Sequence, residues 1–297
     1  MRKTLLLALG LAVGAAPLSG CGTTPEPDGR TASATRVDTA EPHRRPPVTE
    51  LLFTPSIRSH EAQRRLAIAC MANRGFRYAP GAGGSEGDTQ LPQPFGLESA
   101  TPSTESTPPA PDTPPKPGSP ESTAAYGQAL FGDQDKRVTA KGSLMSVSRP
   151  GNGCLAEAEK RVLGDGRMRW LQVRIMLFEA QEQARTDVEK DPAFKAATAR
   201  WRTCMNRAGS TEPDPVRLLA SLRTAEARAS STALAADLRC KDETGYLDTA
   251  YSRLAAVQQR WLDRNPAVAE DWKALAARQE RESRAVLSAA ATSPRSE

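Results

Sequence analysis

The stretch Asp191–Gly209, DPAFKAATARWRTCMNRAG, decides the fold. Asp191 followed by Pro192 reads as a helix start: an aspartate side chain accepts from the first free amides, and proline needs no amide hydrogen at the first helical position. Phe194, Ala197, Trp201, Cys204 and Ala208 then recur at three- and four-residue spacing, which puts them on one face of a helix. Gly209 suits the left-handed residue that closes such a helix. A tryptophan and a cysteine on the inward face predict a helix docked in a core and tied to another segment.

Ser59–Gly75 is a fainter copy of that stretch. Ser59 serves as the cap, and Ala62, Leu66, Ala69 and Cys70 share a face. Cys70-Met71 sits as Cys204-Met205 does, with Gly75 and Gly209 each five residues after the cysteine. The same signals continue along the chain. Asn152 reads as the cap of a helix carrying Cys154, Leu155, Ala158 and Val162 inward. Met168, Leu171, Ile175 and Phe178 mark a helix reaching about Lys190, and Asp214-Pro215 opens another. A break near Ser230 and Ser231 precedes Leu234, Leu238 and Cys240, and Thr244-Gly245 allows a turn. Leu247, Tyr251, Leu254, Gln258, Trp261 and Leu262 trace a long helix. Asn265-Pro266 opens the last one, with Val268, Trp272, Leu275, Gln279 and Val286 on its face.

The expectation is an all-α fold, a disulfide-closed helical domain over residues 51–287. Its middle, Ala124–Pro150, is less regular, with glycines between apolar residues and room for a short hairpin. Residues 79–123 read as a disordered insertion rich in Pro, Ser, Thr and Gly: 11 prolines lie between Pro80 and Pro120, and each removes an amide donor and fixes φ. Phe95-Gly96-Leu97 is an apolar island there that can dock back on the core. The tail 288–297 is small and polar and is expected to fray.

The beginning of the chain carries a different signal. Arg2 and Lys3 precede an apolar run from Leu5 to Ala16, too short to span a bilayer as a permanent helix. Leu18-Ser19-Gly20-Cys21 follows, resembling the bacterial lipobox in which the cysteine thiol receives a diacylglyceryl group. Residues 1–20 thus read as a lipoprotein signal peptide, Cys21 as the lipidation site and residues 21–50 as a flexible tether. The acyl chains contribute about 0.8 kcal/mol per buried methylene, so two or three anchor stably where one does not. The expected partner is membrane lipid through acylated Cys21, and the expected location is the outer face of the cell membrane.

Charge excludes little but weakens one class. Without Arg2 and Lys3 the chain holds 38 basic and 35 acidic residues, a net +3. Arg278, Glu280, Arg281 and Glu282 show the two signs interleaved as on a solvated helix face. No basic run interleaved with aromatics appears, and nucleic acid is not an expected partner. His43, Arg44 and Arg45 make a small basic spot in the tether.

Of the five cysteines, setting Cys21 aside leaves Cys70, Cys154, Cys204 and Cys240. In an exported protein an even count reads as disulfides, and four cysteines allow three connectivities. The repeat selects Cys70–Cys154 and Cys204–Cys240, each joining a Cys-Met helix end to the helical region that follows. Zinc ligation has little support, because there is no CxxC pair and the only histidines are His43 and His60.

The combination of Cys70-Met71 with Gly75-Phe76, Phe95-Gly96-Leu97, Tyr126-Gly127, Gly153-Cys154 with Ala158, Trp201 with Cys204-Met205, and Asp237 with Cys240 and Thr244-Gly245 resembles a group of secreted lipoproteins of high-GC Gram-positive bacteria. This Streptomyces-type group has no assigned activity. The likeness spans about residues 60–280, although Ser210 stands where an aromatic is usual and the Pro-rich insertion is expanded. It implies a surface location and the disulfide framework, and brings no catalytic residue with it.

No catalytic constellation is legible: there is no GxSxG, no Gly-rich phosphate loop and no HExxH. Nor is any cofactor implied. Acidic residues such as Asp237, Asp242, Glu243 and Asp248 are abundant enough to keep a carboxylate-based wall hydrolase as an alternative. Trp170, Trp201, Trp261 and Trp272 read as core anchors more than as a ligand groove. Asp237 is expected to accept a hydrogen bond from Arg200 or Arg202. The reading is a non-enzymatic binding or scaffolding module at the cell envelope, its partner an envelope protein or wall polymer. An accessory subunit of an envelope transporter is the other alternative. Ligand residues and oligomeric state are not legible.

Overall fold

The computed structural model describes residues 45–53, 57–80, 93–99 and 116–292. The signal segment 1–20, Cys21, His43, most of the tether, most of the insertion and residues 293–297 lie outside the described residues. Within them the chain is helical apart from one two-stranded hairpin. The helices are α1 (Pro47–Phe53), α2 (Ile57–Asn73), α3 (Ala124–Phe131), α4 (Cys154–Leu163), α5 (Arg167–Val188) and α6 (Pro192–Arg207), followed by α7 (Pro215–Ser221), α8 (Ala225–Ala229), α9 (Thr232–Thr244), α10 (Tyr246–Arg264) and α11 (Pro266–Thr292). The strands β1 (Arg137–Lys141) and β2 (Ser146–Pro150) lie between α3 and α4 and pair antiparallel, Ala140 opposite Val147.

Local chemistry sets the helix starts. Asp191 accepts from the amides of Ala193 and Phe194 at 2.9 and 3.2 Å, and Asp214 accepts from Arg217 at 2.8 Å. Ser231 caps α9 through the Leu234 amide at 3.2 Å. The two Cys-Met helix ends close alike. Phe76 donates its amide to the Met71 carbonyl at 2.9 Å, and Ser210 donates to Met205 at 3.0 Å. That five-residue reach needs a left-handed residue in between, supplied by Gly75 (φ 79°) and Gly209 (φ 85°). The sequence repeat is therefore a repeated helix-ending motif that buries Met71 and Met205 completely.

Each copy belongs to its own core cluster. Cys70 and Cys154 join where Met71, Tyr126, Ala129 and Leu130 pack, with Phe76 edge-on to Tyr126 at 5.4 Å. Cys204 and Cys240 join inside a larger cluster of Trp201, Met205, Leu218, Tyr246 and Leu254. The Cα separations, 5.6 and 5.7 Å, are those of ordinary disulfides, and the pairing is the one that the repeat selects. Helix α5 joins the larger cluster to two others. Its Ala184 and Val188 enter the larger cluster, Val173, Leu177 and Ala180 pack with Val48 and Trp272, and Leu171 and Ile175 receive Ala140 of the hairpin. At 1.5 Å per residue its 22 residues run about 33 Å, long enough to serve all three.

Several expectations are corrected. The tether does not extend to residue 50: Pro47–Phe53 is helical, with Val48 fully buried. Its start is held from a distance by the buried Gln258 of α10, whose Oε1 accepts from the Val48 and Thr49 amides at 2.9 and 3.2 Å. Asn152 does not cap α4; Gly153 occupies that place, and Asn152 turns back to Asp133, accepting from its amide and donating to its carboxylate. The middle is more regular than expected, with α3 ahead of the hairpin. Helix α11 runs on to Thr292 where fraying was expected from residue 288. On α5, Met168 and Phe178 are exposed, because a central helix packed from several sides has no single inward stripe. The inward face of α2 is likewise turned, from Ala69 to Ala67 and Met71.

The apolar island docks as expected. Phe95 is buried among Phe194, Tyr246 and Tyr251, with ring centroids 5.2 to 6.5 Å apart. Gly96 permits this approach: its φ is +81°, and a Cβ there would lie 2.7 Å from the Pro215 carbonyl oxygen.

Candidate functional site

Among the described residues, Asp237 on α9 is a fully buried carboxylate. Its Oδ1 accepts from Trp201 Nε1 at 2.9 Å and its Oδ2 from Lys241 Nζ at 2.9 Å, and the same ammonium donates to the Leu97 carbonyl. Asp237 and Lys241 lie one helical turn apart and are essentially inaccessible. The expected arginine partners fail for a geometric reason: Arg200 and Arg202 flank Trp201 on α6 and face outward. Burial pushes the Asp237 carboxyl up and the Lys241 ammonium down, each opposed by the other's charge. Every polar atom named here has a partner inside the fold, so the cluster anchors segment 95–98 to α9. Glu98 adds to the anchor through Tyr251.

Open depressions lie elsewhere on the described residues. One, of about 380 Å³, lies beside the Cys70–Cys154 bond and contains two acids, Asp133 and Glu157. Glu157 is paired with Arg74 at 2.5 Å. Asp133 accepts from Gln128, Lys136 and Asn152, which hold its carboxyl far below the usual carboxylate range. Both acids are occupied by donors, and the Asp133 carboxyl is held in the opposite direction from the raised pKa of a general acid.

The second, of about 410 Å³, lies under the hairpin tip. Its architecture rests on Glu179 of α5. The two carboxylate oxygens accept four hydrogen bonds from the tip: Ser143 N at 2.9 Å, Ser143 Oγ at 2.8 Å, Leu144 N at 2.6 Å and Met145 N at 3.0 Å. Gly142 N closes the turn on the Met145 carbonyl at 2.8 Å. A side chain at Gly142 would strike Glu179 and Ile175, so the tip sits tight on α5. Desolvation pushes the Glu179 carboxyl up, but the donors of Leu144, Ser143 and Met145 outweigh it, and the net shift is downward. This clamp fixes Leu144, the most exposed large apolar residue described, at 73% exposure.

Helix α5 supplies one wall: Gln172, Met176, Glu179 and Gln183 recur at four- and three-residue intervals and line the cleft together. Trp261 and Asn265, at the end of α10, face them, and Lys141 lies at the rim. Of the four tryptophans, Trp201 and Trp272 are core anchors and Trp170 stacks on Trp272 at 6.2 Å. Trp261 packs on the core and lines the cleft as well. Sequence reading missed Glu179 and the amides; the available signal was an acid one residue beyond an apolar stripe on α5.

The Glu179→Gln variant is expected to lose about 3 kcal/mol, because an amide accepts at one oxygen only and turns its NH₂ toward donors. Hydrogen exchange at the Ser143–Met145 amides reads this directly; unchanged protection would count against the clamp. Acid acts in the same direction. The folded pKa lies below the ordinary glutamate value of 4.5, so the stabilisation is full above that value and is lost as pH falls through the folded pKa.

Among the described residues, no three or more His, Cys, Asp or Glu side chains are grouped to hold a metal, and no helix is long and apolar enough to cross a membrane. Two disulfides are consistent with an oxidising, extracytoplasmic compartment. Compared with family models, curated proteins and solved structures, the chain matches none significantly.

Proposed function

We propose that the chain is a lipid-tethered, extracytoplasmic binding or scaffolding module of the cell envelope, without catalytic activity. The observation that carries this reading is the partition of the cysteines. The four in the folded part pair with one another, which leaves Cys21, placed after an apolar run and Leu18-Ser19-Gly20, with no thiol in the chain to pair with. A diacylglyceryl thioether gives that position a use. The helical domain then offers an open cleft and a rigid hairpin tip to an envelope protein or a wall polymer.

The test compares the wild-type chain with Cys21→Ala in cells fed radiolabelled palmitate. The wild type is expected to carry label and to sediment with membranes, and the variant to be unlabelled and released. Recovery of unlabelled wild-type protein from the cytoplasm with free thiols defeats the reading. Crosslinking from intact cells then identifies the partner that only the tethered form captures.

A further inference from the structure

We infer that the cleft under the hairpin tip binds an N-acetylated glycan strand; the choice of a polymer outside the cell rests on the envelope reading above. The argument begins with three amides. Gln172 donates its Nε2 to the Lys141 carbonyl at 2.8 Å, Gln183 donates to Asp187 at 3.1 Å, and Asn265 donates its Nδ2 to the Trp261 carbonyl at 2.8 Å. Each NH₂ thus has one hydrogen engaged, which orients the amide and leaves its second N–H and its carbonyl oxygen facing the cleft as donor and acceptor. The cleft therefore presents three oriented amides, each able to accept and to donate.

Amides held in this way suit groups that both donate and accept. Sugar hydroxyls and acetamido N–H groups are donors, and a hydroxyl also accepts, so it can meet Lys141 at the rim. A cationic ligand finds no free carboxylate, because both Glu179 oxygens already serve the hairpin tip. Trp261 completes the set: an aromatic ring supplies apolar area beside polar anchors at little conformational cost, which suits the C–H face of a pyranose. The volume of about 410 Å³ falls within the range of small-ligand sites. From Gln172 to Gln183 the lining face of α5 rises about 16 Å, a length that fits several linked sugars better than one.

Preorganisation supports the same conclusion. The hairpin wall is pinned by a buried carboxylate, so the cleft is shaped before any ligand arrives, and little ordering opposes binding.

The test titrates the full-length chain, purified in detergent, with the N-acetylglucosamine hexamer and follows tryptophan fluorescence. A saturable change is expected. Trp261→Leu should weaken binding at least about tenfold and Gln183→Ala about fivefold. Gln128→Ala, in the other depression, should leave it unchanged. Gln183 is exposed, so its variant decides the matter even if Trp261→Leu loosens the fold. No saturable response, or equal affinity in wild type and Gln183→Ala, overturns the inference. So does binding to intact wall sacculi without binding to the hexamer, which would point to the peptide stems. Because the titration does not depend on Cys21, hexamer binding by a chain that fractionates with the cytoplasm would defeat the tether alone.

Discussion

Asp237→Ala is expected to lower stability by about 4 kcal/mol, because removing one partner of a buried ion pair leaves the other charge uncompensated. Lys241, 2% exposed, would keep only the Leu97 carbonyl, and Trp201 Nε1 would lose its acceptor. For a domain of this size that loss corresponds to a drop in Tm of roughly 10 °C. The double variant Asp237→Leu with Lys241→Met separates charge from packing. Replacing the whole pair with apolar residues is expected to recover most of the loss. The single variant should also release segment 95–98, seen as faster exchange there, since the ammonium that holds Leu97 would reorient. A loss below about 1 kcal/mol in thermal or urea unfolding would mean that water enters and the pair is not anchoring the segment.

The second large effect belongs to the disulfides. By the chain-entropy argument, Cys70→Ala with Cys154→Ala should cost about 4.5 kcal/mol, and Cys204→Ala with Cys240→Ala about 4. The first closes 84 residues and the second 36. Both figures are upper bounds, since a compact unfolded chain has less freedom to regain. The loss in the first pair should centre on α2, α3 and α4, whose small shared cluster is built around that bond. Urea midpoints with an unchanged slope check the totals. If the order reversed, the insertion would have to be holding the unfolded loop compact by itself.

What was legible in the sequence was what local chemistry decides. Asp191-Pro192 and Asp214-Pro215 mark helix starts because a cap needs only its own next three residues, and the break read near Ser230 and Ser231 falls where Ser231 caps α9. The Cys-Met-x₃-Gly repeat located two helix ends and, through them, the cysteine pairing. Phe95 stood out as an aromatic among prolines and does dock. What was not legible depends on groups distant in the chain. Gln258 holds the start of α1 across 210 residues, and Glu179 clamps a turn 34 to 36 residues before it. In sequence, both look like ordinary helix-face polar residues. Asp237 was rightly singled out as a buried acceptor, but its donors were misassigned, since outward arginines are nearer in composition than an indole N–H. The cleft could not be seen because its amides come from α5 and α10 and meet only when those helices pack.

The two disulfides also determine how the protein behaves under tension. A pull on the chain ahead of Arg45 first meets α1, seated on Gln258 and the core, and then travels down α2 to Cys70. There it crosses to Cys154 through the sulfur–sulfur bond, and everything between those residues is bypassed. At full extension that detour is about 290 Å of chain, and the Cys204–Cys240 detour about 130 Å more. Neither length can be paid out while the bonds are intact, so a stretched molecule stays short. Reduction would convert both detours into extension, lengthening the protein under the same load without any change in sequence.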